Sequence, residues 1–307
     1  MATQTQSPNV TSLATPAEEK LKSKSLLQKA LWRIWHDRLT MVALTVLGIM
    51  TLMAVFAPFI TSEVLQVDYL EINLENNYAD LGSPGHLLGT DEMGRDHLAR
   101  LLYGGRISLG IGFSAAIMSL SIGIIIGVIT GYYGGIVDDI IIWFITTLNS
   151  IPQLFLLLII AAMLSPSPGS LVLVLGALGW TGATRIVRGE TFSLKNQEFV
   201  IAARAVGASD IRIMFVHIVP NIISLLVISL ALGIGGLILT ESALSFLGFG
   251  VKAPYPTWGN MLSGGLDMIR RAPHLLYSPG LLIFVTVLCL YIIGDGLRDA
   301  FDPKQAD

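Results

Sequence analysis

The 307-residue chain contains few side chains whose types and spacing could support chemistry. His86, Asp91 and Asp96 could supply nitrogen and oxygen ligands to a metal ion, but their spacing places no two of them on one face of a regular helix. A turn-rich structural loop is therefore the favoured interpretation of this segment, and no metal site is predicted.

Sequence motifs of nucleotide-binding and hydrolytic enzymes do not occur in the chain. It has no phosphate-binding loop of the form Gly-x4-Gly-Lys-Ser/Thr, and it has neither His-Glu-x2-His nor Gly-x-Ser-x-Gly. The sequence therefore predicts a protein that is not an enzyme and that binds no cofactor of its own.

Two polar features interrupt long apolar stretches. The first is the segment from Asn149 to Gln153, where Pro152 removes a backbone hydrogen bond, so that the freed groups need partners in protein or in a water-filled pathway. A structural kink and the lining of a translocation pathway are equal alternatives here. The candidate lining residues are Asn149, Ser150, Pro152 and Gln153. The second feature is Glu241, for which a hydrogen-bonded structural carboxylate is favoured over a functional ionisable group.

A strongly polar segment, residues 197–220, separates two apolar stretches in the second half of the chain. Its pattern predicts two short helices, with Asn196 and Asp210 as N-caps and Gly207 as the residue that ends the first helix. A helix of roughly ten residues is marginal in water, so packing must hold it. Its alanine-rich surface favours docking into a groove at close range, and the alternative is an ordinary connector between two membrane helices.

The composition indicates a membrane protein. The chain is 53% hydrophobic and 13% charged, with a mean hydropathy of +0.68, whereas about 25% of residues are charged in a typical soluble domain. Cys289 is the sole cysteine, so neither a disulfide framework nor a zinc cluster can form within the chain, and the residue is interpreted as a small core side chain.

The hydropathy pattern predicts an all-α fold of six transmembrane helices with an outer loop region between the first two. The predicted helices span about residues 39–60, 107–132, 140–164, 171–184, 220–245 and 279–293. These lie in one transmembrane domain, 26–303, which a disordered N-terminal segment, 1–25, precedes and a short tail, 304–307, follows. Lysine and arginine are concentrated before the first helix and in the loop 185–219, so these parts and both termini are placed in the cytoplasm.

Small residues recur at intervals of four in the second predicted helix. Ser119, Gly123, Gly127, Gly131 and Gly135 would lie on one face, which predicts close approach to a neighbouring helix because small residues let backbones meet in lipid. The glycines at 233, 235 and 236 predict a second close-packing point in the fifth helix.

Three segments carry a resemblance to a known family. The pattern Ala202-Ala203, three residues, Gly207, nine residues and then 217–220 resembles the EAA loop of permease subunits in bacterial ATP-binding-cassette (ABC) importers. The segments 86–109 and 241–248 resemble the dipeptide, oligopeptide and nickel permease branch. One departure is visible, because Ile201 stands where a glutamate usually precedes the two alanines; Glu198 lies one helical turn earlier.

This resemblance implies the type I ABC importer permease fold in a multi-pass protein of the bacterial cytoplasmic membrane. The EAA-like loop would be the coupling helix that docks in a cleft of an ATPase subunit. The residues assigned to coupling are Glu198, Phe199, Ala202, Ala203, Arg204, Gly207, Ala208, His217 and Pro220. The implied partners are a second homologous permease chain, two ABC ATPase subunits that carry ATP and Mg, and an extracytoplasmic substrate-binding protein.

The resemblance implies peptides as the cargo, with nickel, glutathione or another small solute as alternatives. A different class, an ion-coupled transporter or channel without an ATPase, is the competing hypothesis. Such proteins usually keep ionisable groups deep in their spans, whereas the mid-membrane positions here hold only Asn149, Ser150 and Gln153.

Overall fold

The computed structural model of the chain describes residues 26–164 and 167–301. The predicted disordered segment 1–25 and the predicted tail 304–307 lie outside the described residues. The α-helices are α1 (Leu26–His36), α2 (Arg38–Val55), α3 (Ala57–Phe59), α4 (His97–Tyr133), α5 (Gly135–Asn149), α6 (Gln153–Met163), α7 (Pro168–Leu194), α8 (Glu198–Ala205), α9 (Asp210–Arg212), α10 (Ile223–Phe246), α11 (Trp258–Leu266) and α12 (His274–Phe301). The described residues contain no β-strand.

Five helical segments are long and apolar enough to cross a membrane, namely α2, α4, α7, Asp210–Phe246 and α12. The pair α5 and α6 passes the same test together, with a bend of 82° at the break between them, and makes a sixth span if it is counted as one. The predicted all-α architecture of six spans is thereby confirmed. The fifth span includes a π-helical turn, Ile213–Ile218, and a 3-10 turn, Val219–Ile222, before α10.

Several helices extend beyond the predicted apolar spans. α4 begins at His97 instead of 107, α7 continues to Leu194 instead of 184, and α12 covers 274–301 instead of 279–293. Hydropathy marks the limits of an apolar segment, whereas the start of a helix depends on its cap, which for α4 is Asp96. The basic segment before the first span also forms a helix, α1, with Trp35 exposed.

The backbones of α4 and α7 approach each other closely along the predicted small-residue face. A Cβ atom added at Gly123 would lie 2.5 Å from Ala183 Cβ, and one at Gly127 would lie 2.7 Å from Val187 Cβ. At Gly131 the corresponding distance to Thr191 Cβ is 2.6 Å. No side chain fits in these gaps, so the predicted close packing is confirmed; Gly135 lies outside this contact, at the start of α5.

The loop 66–96 is held together by charged side chains. Asp96 caps α4 by accepting from the backbone N–H of Ala99 at 2.7 Å, and it contacts His86 Nδ1 at 2.9 Å. Asp91 Oδ2 accepts from Arg95 Nε at 2.8 Å and lies 3.1 Å from Arg100 Nε. All three candidate metal ligands of the sequence therefore make structural contacts, and no group of three or more His, Cys, Asp or Glu side chains in the described ranges could hold a metal ion.

Glu241 is completely buried and joins three helices near the C-terminal end of α10. Its carboxylate accepts from Ser245 Oγ at 2.7 Å and from Ser108 Oγ of α4 at 3.0 Å. Ser108 Oγ in turn accepts from the backbone N–H of Trp258, the first residue of α11, at 3.2 Å. The interpretation of Glu241 as a structural, hydrogen-bonded carboxylate is thus confirmed.

Replacing Gly127 by alanine tests the contact between α4 and α7. The added methyl group would overlap Val187 and the Thr184 carbonyl oxygen, and overpacking of this kind costs about 1–3 kcal/mol. Gly189→Ala in α7 is the matched control, because no atom lies within 4 Å of its added Cβ and alanine raises helix propensity. Thermal unfolding of the purified protein in detergent should show a lower midpoint for Gly127→Ala and an equal or higher one for Gly189→Ala. Equal midpoints in the two variants would contradict the close contact.

Candidate functional site

Helix α8 lies in the polar segment 197–220, near the C-terminal ends of α4 and α7. Gln197 occupies its N-cap position and makes no side-chain cap, so the prediction that Asn196 caps this helix is wrong. Gly207 has φ = +84°, which ends the helix as predicted, since this conformation strongly disfavours residues with a Cβ.

One face of α8 packs against the chain itself. Val200 is fully buried and Ala203 is 7% exposed. They belong to an apolar cluster with Val128, Tyr132, Val187, Ile213, Met214, Ile218, Ile222 and Leu226. Ala203 is predicted to face a partner, whereas the structure buries it in this cluster, beside the π-helical turn Ile213–Ile218. A short helix is held in place by such packing, as its length requires.

The opposite face of α8 and the turn after it present apolar side chains to solvent. Val206 is 86% exposed and Ile201 is 55% exposed, and Phe199 is also exposed. The other predicted coupling residues are exposed at Glu198, Ala202, Arg204, Gly207 and Pro220, and half-buried at Ala208 and His217. Glu198 and Ala202 are both exposed one helical turn apart.

A polar network joins α8 and α9 to the C-terminal end of α4. Tyr132 donates its hydroxyl hydrogen to Asp210 Oδ1 at 2.7 Å and accepts from Arg204 Nη2 at 3.2 Å. The bond to Tyr132 raises the pKa of the Arg204 guanidinium above its usual value, so the group stays charged. The N-cap position of α9 is Ser209, so the prediction that Asp210 caps this helix is wrong. The Asp210 carboxylate accepts a hydrogen bond from the Tyr132 hydroxyl group instead.

Two basic side chains near the C-terminal end of α7 bond to the neighbouring helices α4 and α5. Lys195 Nζ donates to the backbone carbonyls of Gly131 at 3.0 Å and Tyr132 at 3.3 Å, which satisfies acceptors that the end of α4 leaves free. Arg188 donates from Nε and Nη2 to the two carboxylate oxygens of Asp138 in α5, both at 2.5 Å. A bidentate pair of this kind fixes orientation as well as distance. The charge bias of the loop indicated its side of the membrane but not these partners.

A cavity of about 370 Å³ lies between α4, α6, α7 and α10. Among the candidate pathway residues, Gln153 lines it, whereas Asn149, Ser150 and Pro152 are exposed outside it. Asn149 Oδ1 accepts from Thr181 Oγ1 of α7 at 3.4 Å.

The glycines of α10 have a different role from the one predicted. Gly233 and Gly236 line this cavity, and no atom lies within 4 Å of a Cβ added to either. The predicted close-packing point is therefore wrong at these two positions, while Gly235 makes an ordinary contact with Leu290.

Comparisons with known proteins place the chain beside membrane transport components. Residues 123–307 match the family model for the binding-protein-dependent transport system inner membrane component, and residues 25–80 match the N-terminal transmembrane domain of oligopeptide transport permease C. The chain is 39% identical over 284 residues to the oligopeptide transport system permease protein OppC of Bacillus subtilis, with 92% of this chain and 91% of the relative covered. It is 37% identical over 287 residues to the dipeptide transport system permease protein DppC of the same organism, covering 93% and 88%. OppC of Escherichia coli is 38% identical over 286 residues, covering 93% and 94%.

Removing the Tyr132 hydroxyl group tests the attachment of α8. Tyr132→Phe loses the bonds to Asp210 and Arg204, and a hydrogen bond to a charged group contributes roughly 1–2 kcal/mol in a partly exposed setting. Amide hydrogen exchange in residues 198–212 should become about fivefold to thirtyfold faster. Tyr133→Phe is the matched control, because its hydroxyl contacts Asp210 at 3.5 Å from an exposed position. Similar exchange rates in both variants would show that the network does not hold α8.

Proposed function

Because this chain belongs to the family of binding-protein-dependent transport system inner membrane components, we propose that it is the permease subunit of an ATP-driven ABC importer for dipeptides or oligopeptides. It would form half of the translocation pathway across the cytoplasmic membrane. A second, homologous permease chain would supply the other half, two ATPase subunits would bind ATP and Mg, and a substrate-binding protein would deliver the cargo outside.

The observation that carries the proposal is that the two faces of α8 differ: one is buried against the rest of the chain, and the other is exposed. A short helix with one face buried against the membrane helices and apolar side chains on its free side is suited to docking, because exposed apolar groups at a solvent surface favour burial against a partner. The free side includes Ile201 and Val206. Ile201 stands where the family pattern has a glutamate, so the contact at this position would be apolar.

The attachments of α8 suggest how motion would reach the pathway. Movement of a docked ATPase subunit would displace α8, and the bonds through Tyr132 and Arg204 would transmit the displacement to α4. Because Lys195 joins the end of α7 to α4, these two of the four helices that border the cavity would move together. ATP binding would thereby switch the pathway from inward-facing to outward-facing.

The names of the relatives favour peptide cargo over the alternatives. Those described above are oligopeptide or dipeptide permease proteins. Nickel or glutathione import and an ion-coupled mechanism without an ATPase have no comparable support. The basic side chains Arg185, Arg188, Lys195, Arg204 and Arg212 favour the cytoplasmic side for α8.

Val206→Asp tests the docking of α8. The side chain is almost fully exposed, so a carboxylate there would leave the fold of this chain intact but would be desolvated without a partner at an apolar interface. Stimulation of ATP hydrolysis by substrate-loaded binding protein should fall at least about tenfold in the reconstituted complex, with normal membrane insertion. Ser193→Asp, at an exposed position near the end of α7, is the control.

Gly207→Val and Ala203→Asp separate docking from the stability of the loop. Valine at φ = +84° adds about 1–2 kcal/mol of backbone strain without a clash, since no atom lies within 4 Å, and should also weaken coupling. Ala203→Asp places a charge in the buried cluster and should lower the thermal stability of the chain itself. Full coupling in both Val206→Asp and Gly207→Val would mean that α8 is only a connector.

A further inference from the structure

The cavity between α4, α6, α7 and α10 has an uncharged lining. None of the residues that border it is Asp, Glu, Lys, Arg or His. Its polar side chains are those of Ser119, Gln153, Ser229 and Thr240. A peptide with ionised side chains would therefore meet neither a complementary nor a repelling charge from this chain.

Two of these polar groups lie against the chain itself. Thr240 Oγ1 donates to the carbonyl of Gly236, one turn earlier in the same helix, at 2.8 Å. Ser119 is buried beside α7, where a Cβ added at Gly179 would lie 2.8 Å from its Oγ. Gln153 is exposed, and its amide makes no hydrogen bond within the part of the chain that the structure describes. Its free amide can both donate and accept.

Three glycines leave the space beside Gln153 open. Gly182, Gly233 and Gly236 line the cavity, and nothing lies within 4 Å of a Cβ added at any of them. Packing does not require glycine at these positions, in contrast to Gly127, where a neighbouring helix fills the space. The small residues keep the cavity wide, so side chains of the cargo can pass close to the backbone.

We propose that Gln153 is a residue of this chain that contacts the cargo in the pathway and keeps the passage free of charge selectivity, an inference that rests on the proposed peptide transport. Its neutral amide offers a hydrogen bond to a peptide group of any sequence and discriminates against neither sign of charge. The cargo class is therefore peptides that carry acidic, basic or uncharged side chains. Position 153 lies at the break between α5 and α6, where the 82° bend directs the start of α6 to the cavity.

A charge at this position should convert a neutral passage into a selective one. Between low-dielectric walls a fixed carboxylate favours a basic cargo side chain and repels an acidic one, and specificity of this kind arises from the difference between the two. A tenfold change in relative rate corresponds to about 1.4 kcal/mol, which a single charge pair in such surroundings can supply.

The test compares uptake of Ala-Lys-Ala, Ala-Glu-Ala and Ala-Ala-Ala by the complex reconstituted in vesicles with its own binding protein and ATP. Gln153→Glu should raise the ratio of lysine to glutamate peptide uptake about tenfold relative to wild type, and Gln153→Lys should lower it by a similar factor. Gln153→Met is the uncharged control and should leave the ratio unchanged. Preference of the binding protein cancels, because the same binding protein serves every variant.

Adding the charge by chemical modification, after the complex has assembled, controls for charged variants that fail to fold. Gln153→Cys modified with an anionic or a cationic methanethiosulfonate should shift the ratio in the same two directions, and wild-type complex treated identically is the control, since Cys289 of this chain is buried. The role of Gln153 would be overturned if the ratio of lysine to glutamate peptide uptake stayed unchanged in the charged variants or after modification of the thiol, while ATP-dependent uptake of Ala-Ala-Ala was intact. That result would leave the proposed peptide transport standing. Absence of ATP-dependent uptake of all three peptides by the wild-type complex would overturn the proposed function itself, and the inference with it.

Discussion

The close contact between α4 and α7 is the constraint on which the rest of the structure depends. In lipid there is little hydrophobic force between helices, so association relies on dispersion contacts that backbones can make only when side chains do not intervene. Gly123, Gly127 and Gly131 provide this approach over two turns of α4. The contact fixes the C-terminal end of α7, from which Lys195 reaches carbonyls in the last turn of α4. It also forms one wall of the cavity that Gln153 borders.

The position of α8 follows from that contact. Its first residue comes soon after the end of α7, and its buried side chains fit the cluster that α4, α7 and the π-helical turn Ile213–Ile218 build between them. Arg204 and Asp210 then engage one hydroxyl group, that of Tyr132, from opposite sides of Gly207. A glycine turn inside such a network allows the chain to reverse while both flanking segments stay attached to α4. The loop is therefore attached to α4 on both sides of its turn.

Sequence patterns predicted the parts of this architecture that depend on local chemistry. The apolar spans, the small-residue face of α4 and the positive φ of Gly207 follow from hydropathy, spacing and the conformational freedom of glycine. Sequence patterns could not predict the burial of Ala203 or the hydrogen bond from Tyr132 to Asp210, because both depend on which helices meet near the C-terminal ends of α4 and α7. The glycines of α10 show the same limit: spacing alone does not distinguish a glycine that admits a helix, such as Gly127, from one that borders a cavity, such as Gly233. The start of α4, capped by Asp96, and the end of α7, next to Lys195, depend on hydrogen bonds that a hydropathy window does not detect.

The central claim is that α8 moves as one body with the membrane helices of its own chain, and a distance measurement in the assembled transporter tests it most directly. Spin labels at Val206→Cys and at Phe192→Cys, both exposed in this chain, report the separation between α8 and the end of α7. We expect this distance to stay the same with and without ATP, while the distance from Val206→Cys to the matching helix of the proposed partner permease changes. A change between positions 206 and 192 on ATP binding would contradict it.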